Sequence, residues 1–177
     1  MLQQLFEALL RAWGWLSPVI IVPVWQGAGV LRLGHYHRTL EPGFHLKIPL
    51  MEEAIFENMV MTTLRLQPQT CTTKDGKGVV VCGVIKYQLV DVEPYICGVV
   101  DQRDVLVDVT MGAVLTAVRD TALDELVGAP PEDKVATAVR RQVNRFGFKI
   151  LSFTFTDIGQ VRSLRIISHT PLDHEIL

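Results

Sequence analysis

The 177-residue chain sets 17 Lys and Arg against 19 Asp and Glu, a formal net charge of −2. That balance excludes a protein whose main work is coating nucleic acid, which calls for a basic domain. Apolar residues at 49% and charged ones at 20% exclude a disordered chain, and Cys71, Cys82 and Cys97 form no CxxC pair, which excludes a zinc ribbon or a dithiol redox motif.

Residues 1–25 differ from everything after them. Leu2, Leu5, Phe6, Leu9, Leu10, Trp13 and Leu16 recur at spacings of three and four, which places them on one face of a helix, with Gln3, Gln4, Glu7 and Arg11 on the other. Ser17-Pro18 ends that helix, because a residue before proline is pushed out of the helical region. Val19–Val22 is a short β-branched run stopped by Pro23. Only fourteen residues separate Arg11 from Gln26, and they include Gly14, Ser17, Pro18 and Pro23. A spanning helix needs roughly 20 predominantly apolar residues. No positive leader or small-residue cleavage pattern marks a signal peptide. The segment is therefore expected to lie in the membrane interface. Its lipid contacts would be Leu2, Leu5, Phe6, Leu9, Leu10, Trp13, Trp15, Leu16, Ile20 and Ile21, with tryptophan rings at headgroup level. A re-entrant hairpin and a helix buried in the domain core or against a partner are the alternatives.

From Val22 to Thr70 the pattern is that of strands. Val30, Leu31 and Leu33 carry the first, following the glycine-rich Gln26–Gly29 and closed by Gly34. After the turn Glu41-Pro42-Gly43, Phe44, Leu46 and Ile48 alternate with His45 and Lys47, the period of a half-buried strand. Ile55–Gln67 reads as one strand with Phe56, Val60, Leu64 and Leu66 on a single face. Lys74-Asp75-Gly76-Lys77 is a hairpin turn with positive φ expected at both central residues. Val79–Val90, apolar on both faces, is expected to be a central strand covered on both sides.

At Asp91 the period changes. Val92-Glu93-Pro94 breaks the strand, Tyr95–Val100 holds a helical turn, and Asp101–Val127 reads as one long helix. Asp101, Asp104 and Asp108 fall on one stripe, read as a solvated face. Pro130-Pro131-Glu132-Asp133 opens a second helix with an inner stripe of Val135, Val139, either Gln142 or Val143, and Phe146, stopped by Gly147. Phe148–Ile158 is a closing strand. The fold class is α+β: a β-rich half, two helices and a final strand.

No GxSxG, HExxH, GxxxxGK[ST] or post-strand GxGxxG is present. Gln26–Gly29 precedes a strand rather than a helix, so it lacks the N-terminus that would hold a phosphate. His35 and His37 share a strand face near His45, but no fourth zinc ligand is placed beside them, and they read as solvated residues at a strand end. Cys82 and Cys97 sit in apolar runs that would raise a thiol pKa, and all three cysteines read as reduced, partly buried thiols. No catalytic residue, cofactor site or metal site is expected, and the chain does not read as an enzyme.

Val30-Leu31-Arg32-Leu33-Gly34 followed by the basic stretch to Glu41-Pro42-Gly43-Phe44-His45-Leu46-Lys47-Ile48-Pro49 resembles the opening of the stomatin, prohibitin and flotillin (SPFH, band 7) superfamily. Thr73-Lys74-Asp75-Gly76, Asp101-Gln102-Arg103, Leu123-Asp124-Glu125-Leu126, Phe146-Gly147-Phe148 and Thr156-Asp157-Ile158 match its later stations in order. The resemblance covers Val22–Gly159. It implies a non-enzymatic, membrane-attached scaffold that homo-oligomerises into a ring or cage and encloses a membrane patch. The bulk of the chain would sit on the cytoplasmic side, with membrane lipid, further copies and a membrane protease or other client as partners, and no nucleic acid. The family's long coiled coil has no counterpart in Gln160–Leu177, so a minimal form is expected. The alternative is a structural component of a soluble or virion assembly.

The expected organisation is a membrane segment over 1–25, an SPFH-like domain over 26–159 with a β-rich part to 91, and a tail over 160–177. Val161, Leu164, Ile166 and Ile167 in that tail would contact a neighbouring copy.

Overall fold

The computed structural model describes residues 18–98 and 100–161. Of the expected lipid contacts, Leu2, Leu5, Phe6, Leu9, Leu10, Trp13, Trp15 and Leu16 lie outside the described residues. So do the expected oligomer contacts Leu164, Ile166 and Ile167.

The chain forms a β-rich first half, then helices, then a closing strand, the SPFH-like α+β arrangement. β1 (Val19–Val22) and β4 (Gly43–Leu46) pair antiparallel as a two-stranded ribbon. β2 (Gln26–Arg32) lies between β3 (His35–Leu40) and β5 (Glu52–Asn58) in a three-stranded antiparallel sheet. β6 (Thr62–Arg65) and β7 (Gln69–Thr72) pair with opposite ends of one edge of β8 (Gly78–Leu89), and β9 (Phe148–Gln160) takes the other edge. Between β8 and β9 come α1 (Val92–Gly98), α2 (Gln102–Arg119), α3 (Leu123–Gly128), α4 (Glu132–Val143) and a 3-10 turn at Asn144–Phe146.

Two cores follow from this grouping. The larger one packs Val79, Val81 and Ile85 of β8 and Phe148, Ile150 and Phe153 of β9 against Leu106, Val118, Leu126, Val135, Val139 and Val143 of the helices. The smaller one holds Ile20, Val22, Ala28, Val30 and Leu40 between the ribbon and the three-stranded sheet. Because β6 to β8 share the larger core with the helices, the sheets regroup between β5 and β6 rather than at Asp91.

Several local expectations change. Gln26–Gly29 lies inside β2 instead of ahead of it. Its glycines are there because α1 crosses the sheet closely: a Cβ built on Gly29 would stand 2.5 Å from Ile96 Cδ1, and one on Gly27 3.0 Å from Val92 Cγ2. The Ile55–Gln67 run is two strands in two sheets, broken where Met59 N–H donates to Trp25 O at 3.0 Å. Leu64 and Leu66 are buried, whereas Phe56 and Val60 are exposed.

The long helix from Asp101 breaks after Arg119. Thr121 Oγ1 donates to Ala117 O at 2.7 Å, and the Asp75 carboxylate accepts Leu123 N–H at 3.1 Å, so the hairpin turn caps the start of α3. In that turn only Gly76 has positive φ (73°), and Asp75 does not, which makes it a turn with one left-handed residue. β8 is fully buried only on its helix side; Val80, Cys82 and Val84 on the other face are half-buried. Cys97 is exposed rather than partly buried.

Candidate membrane interface

The ribbon's two faces part company. Val19 lies opposite Leu46 and Ile21 opposite Phe44, while Ile20 lies opposite His45 and Val22 opposite Gly43. Directly opposed residues share a face. The Ile20 and Val22 face is buried in the smaller core, and the other is open, with Ile21 70% and Phe44 65% exposed. Two expectations are corrected here. Ile20, 6% exposed, packs in the smaller core, whereas Ile21 is open to the outside. Phe44, Leu46 and Ile48 are the outward set, and the intervening His45 and Lys47 are half-buried. The alternation is right and its sense is inverted, because within the chain no other element covers the apolar side among the described residues.

Two loop residues extend this apolar face. Leu33, in the β2–β3 turn, and Leu50, in the loop from β4 to β5, have φ of 51° and 67°. They are the only non-glycine residues with positive φ among the described residues. That conformation is uncommon outside Gly, Asn and Asp. It costs on the order of 1–3 kcal/mol in sparsely populated regions and concentrates at functional sites. Both leucines are largely exposed, at 69% and 79%. Leu33 N–H donates to Met51 O at 2.9 Å, tying the two loops together. Val19, Ile21, Leu33, Leu50, Met51 and Phe56 line one open groove of about 670 Å³.

A charged cluster beneath the groove holds the loops. Glu52, its side chain 1% exposed, accepts from Arg32 Nη2 at 2.6 Å and stands 3.7 Å from Arg38. Its second oxygen accepts Ile48 N–H at 2.9 Å. Arg38 Nη2 also donates to Leu46 O at 2.6 Å, so one network ties β3, the end of β4 and the 47–51 loop together. The Ile48 amide first, then the Arg32 guanidinium, hold the Glu52 carboxyl below its ordinary range against the opposing effect of burial. Glu52 was not singled out from the sequence. Met51-Glu52-Glu53 offers two adjacent acids, and only pairing in register with Arg32 tells them apart.

The remaining sequence candidates are placed plainly. His35 and His37 are exposed, and His45 Nε2 lies 2.7 Å from Glu41 O. Among the described residues no three His, Cys, Asp or Glu side chains converge as a metal site would require. Burial pushes the Cys71 thiol up, away from a nucleophile's range. Val161 is exposed, and its N–H donates to Gly78 O at 2.9 Å, continuing the β8–β9 pairing. No described helix is long and apolar enough to cross a membrane.

Residues 20–162 match the model of the SPFH domain / Band 7 family. The chain belongs to that family. This SPFH domain is similar to an uncharacterized protein, MJ0827, of Methanocaldococcus jannaschii, with 25% identity over 75% of this chain and 67% of that one. It is similar to protein HflK of Treponema pallidum at 26% identity, over 76% and 48% of the two chains. Human mitochondrial stomatin-like protein 2 is 21% identical over 79% and 40%. The chain spans between 33% and 67% of the length of the first three curated relatives it matches. The SPFH assignment agrees with the motif series read from Val30 to Ile158, and the matched span exceeds the expected one by two or three residues at each end.

Proposed function

We propose that this SPFH domain rests on a membrane surface through its apolar ribbon face and self-associates there into a ring or cage-like scaffold. The scaffold organises or encloses a membrane patch or a client membrane protein, such as a protease, and performs no chemistry of its own. The observation that carries the reading is the pair Leu33 and Leu50. Two exposed leucines hold a backbone conformation that glycine would adopt without strain, beside the open face of Ile21 and Phe44. Strain kept for large exposed apolar side chains is explained by something outside the chain that takes them up. β1, which carries this face, begins at Val19, and in the sequence it follows directly on the amphipathic stripe of residues 2–16. Lys47 lies in the groove, where a cation suits an anionic headgroup. We place the domain on the cytoplasmic side of that membrane.

Flotation of the full chain with liposomes tests the reading. Ile21→Glu/Phe44→Glu should keep the fold, because both side chains are exposed, and should lower the floated fraction at least tenfold. Ile20→Glu should instead unfold the ribbon. A double variant that floats like the unchanged protein would overturn the lipid assignment of this face. Wild-type protein that stays at the bottom of the gradient yet assembles would favour a soluble or virion-type assembly.

A further inference from the structure

Charge in the helical half is segregated along the chain. Residues 91–133 hold ten acids against two bases, a net of −8, and residues 134–149 hold five bases and no acid, a net of +5. The fold displays the two blocks as separate surfaces. Asp101, Asp104 and Asp108 are exposed along the first half of α2. Arg140, Arg141, Asn144 and Lys149 stand around an open groove of about 600 Å³ whose other walls are Phe148, Ile150 and Leu151.

Within the chain these surfaces do not neutralise each other. Among the described residues the ion pairs closer than 4.0 Å are those of Glu52 with Arg32 and Arg38. Arg140 is engaged by the carbonyls of Ile150 and Leu151, and Arg145 stacks on Phe146 at 4.6 Å. Among the described residues the side chains of Arg141 and Lys149 have no hydrogen-bond or ion-pair partner at the groove. Helix dipoles explain part of the pattern, since Asp101 and Asp104 sit at the start of α2 and Arg141 at the end of α4. They do not explain Asp108, beyond the first turn, or Lys149, on a strand. Asp104 and Asp108 are four apart, a like-charge helical spacing that destabilises by about 0.2–0.5 kcal/mol unless opposed.

We propose that the basic groove of one copy receives the acidic α2 stripe of a second copy of this chain. This rests on the self-association proposed above and names its lateral contact. The two surfaces are different residues on different elements, so the contact is heterologous and repeats head to tail, closing into a ring when the rotation permits. Complementary charge sets the register and speeds encounter.

The test is sedimentation of the full chain in mild detergent, with circular dichroism to confirm folding. Raising ionic strength from about 0.05 M to about 0.5 M shortens the screening length several-fold and should shift assembled mass toward monomer. Asp104→Lys/Asp108→Lys and Arg141→Glu/Lys149→Glu should each weaken assembly at least tenfold, and an equimolar mixture of the two should restore it. Assembly by the wild type that both reversals leave unchanged would place the contact elsewhere and overturn this proposal while leaving self-association standing. A monomer under every condition would overturn self-association as well. Loss of binding to anionic vesicles in the Arg141→Glu/Lys149→Glu variant, with assembly intact, would assign the groove to lipid phosphate instead.

Discussion

Arg32 and Glu52 sit directly opposite each other on β2 and β5, and their side chains close a 2.6 Å ion pair at the base of the apolar groove. The pair does more than join two strands. The second Glu52 oxygen takes the Ile48 amide, and the neighbouring Arg38 takes the Leu46 carbonyl. The polar network therefore fixes the backbone on which the outward apolar residues Leu46, Ile48 and Leu50 are mounted. An open apolar surface built from a short ribbon and two strained loops has little core of its own. Buried polar bonds with defined direction compensate for that shortage.

Glu52→Ala should accordingly destabilise the protein by about 1–3 kcal/mol, the cost of leaving a buried hydrogen-bonding group unpaired. The value sits below that of a fully buried ion pair because the Arg32 side chain is 38% exposed and can turn to water. Urea denaturation measures it. Glu52→Gln, which keeps an acceptor for one of the two partners, should recover part of the loss. Equal stability in all three proteins would remove Glu52 from the account of the loops.

The same carboxylate gives a pH dependence. Glu52 has a lower pKa in the folded state than in the unfolded chain, where glutamate titrates near about 4.3. Above that value both states are ionised, and the full contribution of Glu52 to stability is present. As pH falls below it the unfolded chain takes up the proton first, so stability declines until the folded carboxyl is protonated too. The stability difference between wild type and Glu52→Gln should therefore be constant from about pH 7 to about pH 5 and shrink below about pH 4. A difference that grew on acidification would mean that the carboxyl is held neutral in the fold.

The motif series from Val30 to Ile158 made the family and the order of elements legible, because strand period, Asp75-Gly76 and the Gly147 stop are local signals. Burial sense at β4 was not local. Alternation in Phe44-His45-Leu46-Lys47 defines two faces but not which one is inside, and the usual assumption fails where the apolar set is the exposed one. The break after Arg119 carries no glycine or proline. It depends on Asp75, 48 residues earlier, reaching the Leu123 amide. Gly27 and Gly29 looked like a loop because their cause, the crossing of α1, lies more than sixty residues ahead. The last two misses each trace to a partner distant in sequence.

β9 offers the last test. It pairs with β8 along one edge, and α4 guards the other. The Glu132 carboxylate accepts Phe155 N–H at 2.9 Å, and the Arg140 guanidinium donates to Ile150 O and Leu151 O at 3.0 and 3.1 Å. Unpaired strand edges invite pairing with other chains, and a covering element with charged side chains is a common protection. Arg140 bonds the carbonyls where β9 bulges, since Ser152 pairs with Lys86 and Ile150 with Tyr87, leaving Leu151 without a register partner. Replacing either side chain with alanine should cost about 1–3 kcal/mol, as expected for hydrogen bonds to charged groups. The double variant Glu132→Ala/Arg140→Ala should also scatter light in a concentration-dependent way at temperatures where the wild type stays clear. Hydrogen exchange locates the effect: the Phe155 amide should lose protection at least tenfold in the Glu132→Ala variant, while amides of β8 keep theirs. Unchanged exchange at Phe155 would show that water or another group satisfies that edge, and the protective role of α4 would fall.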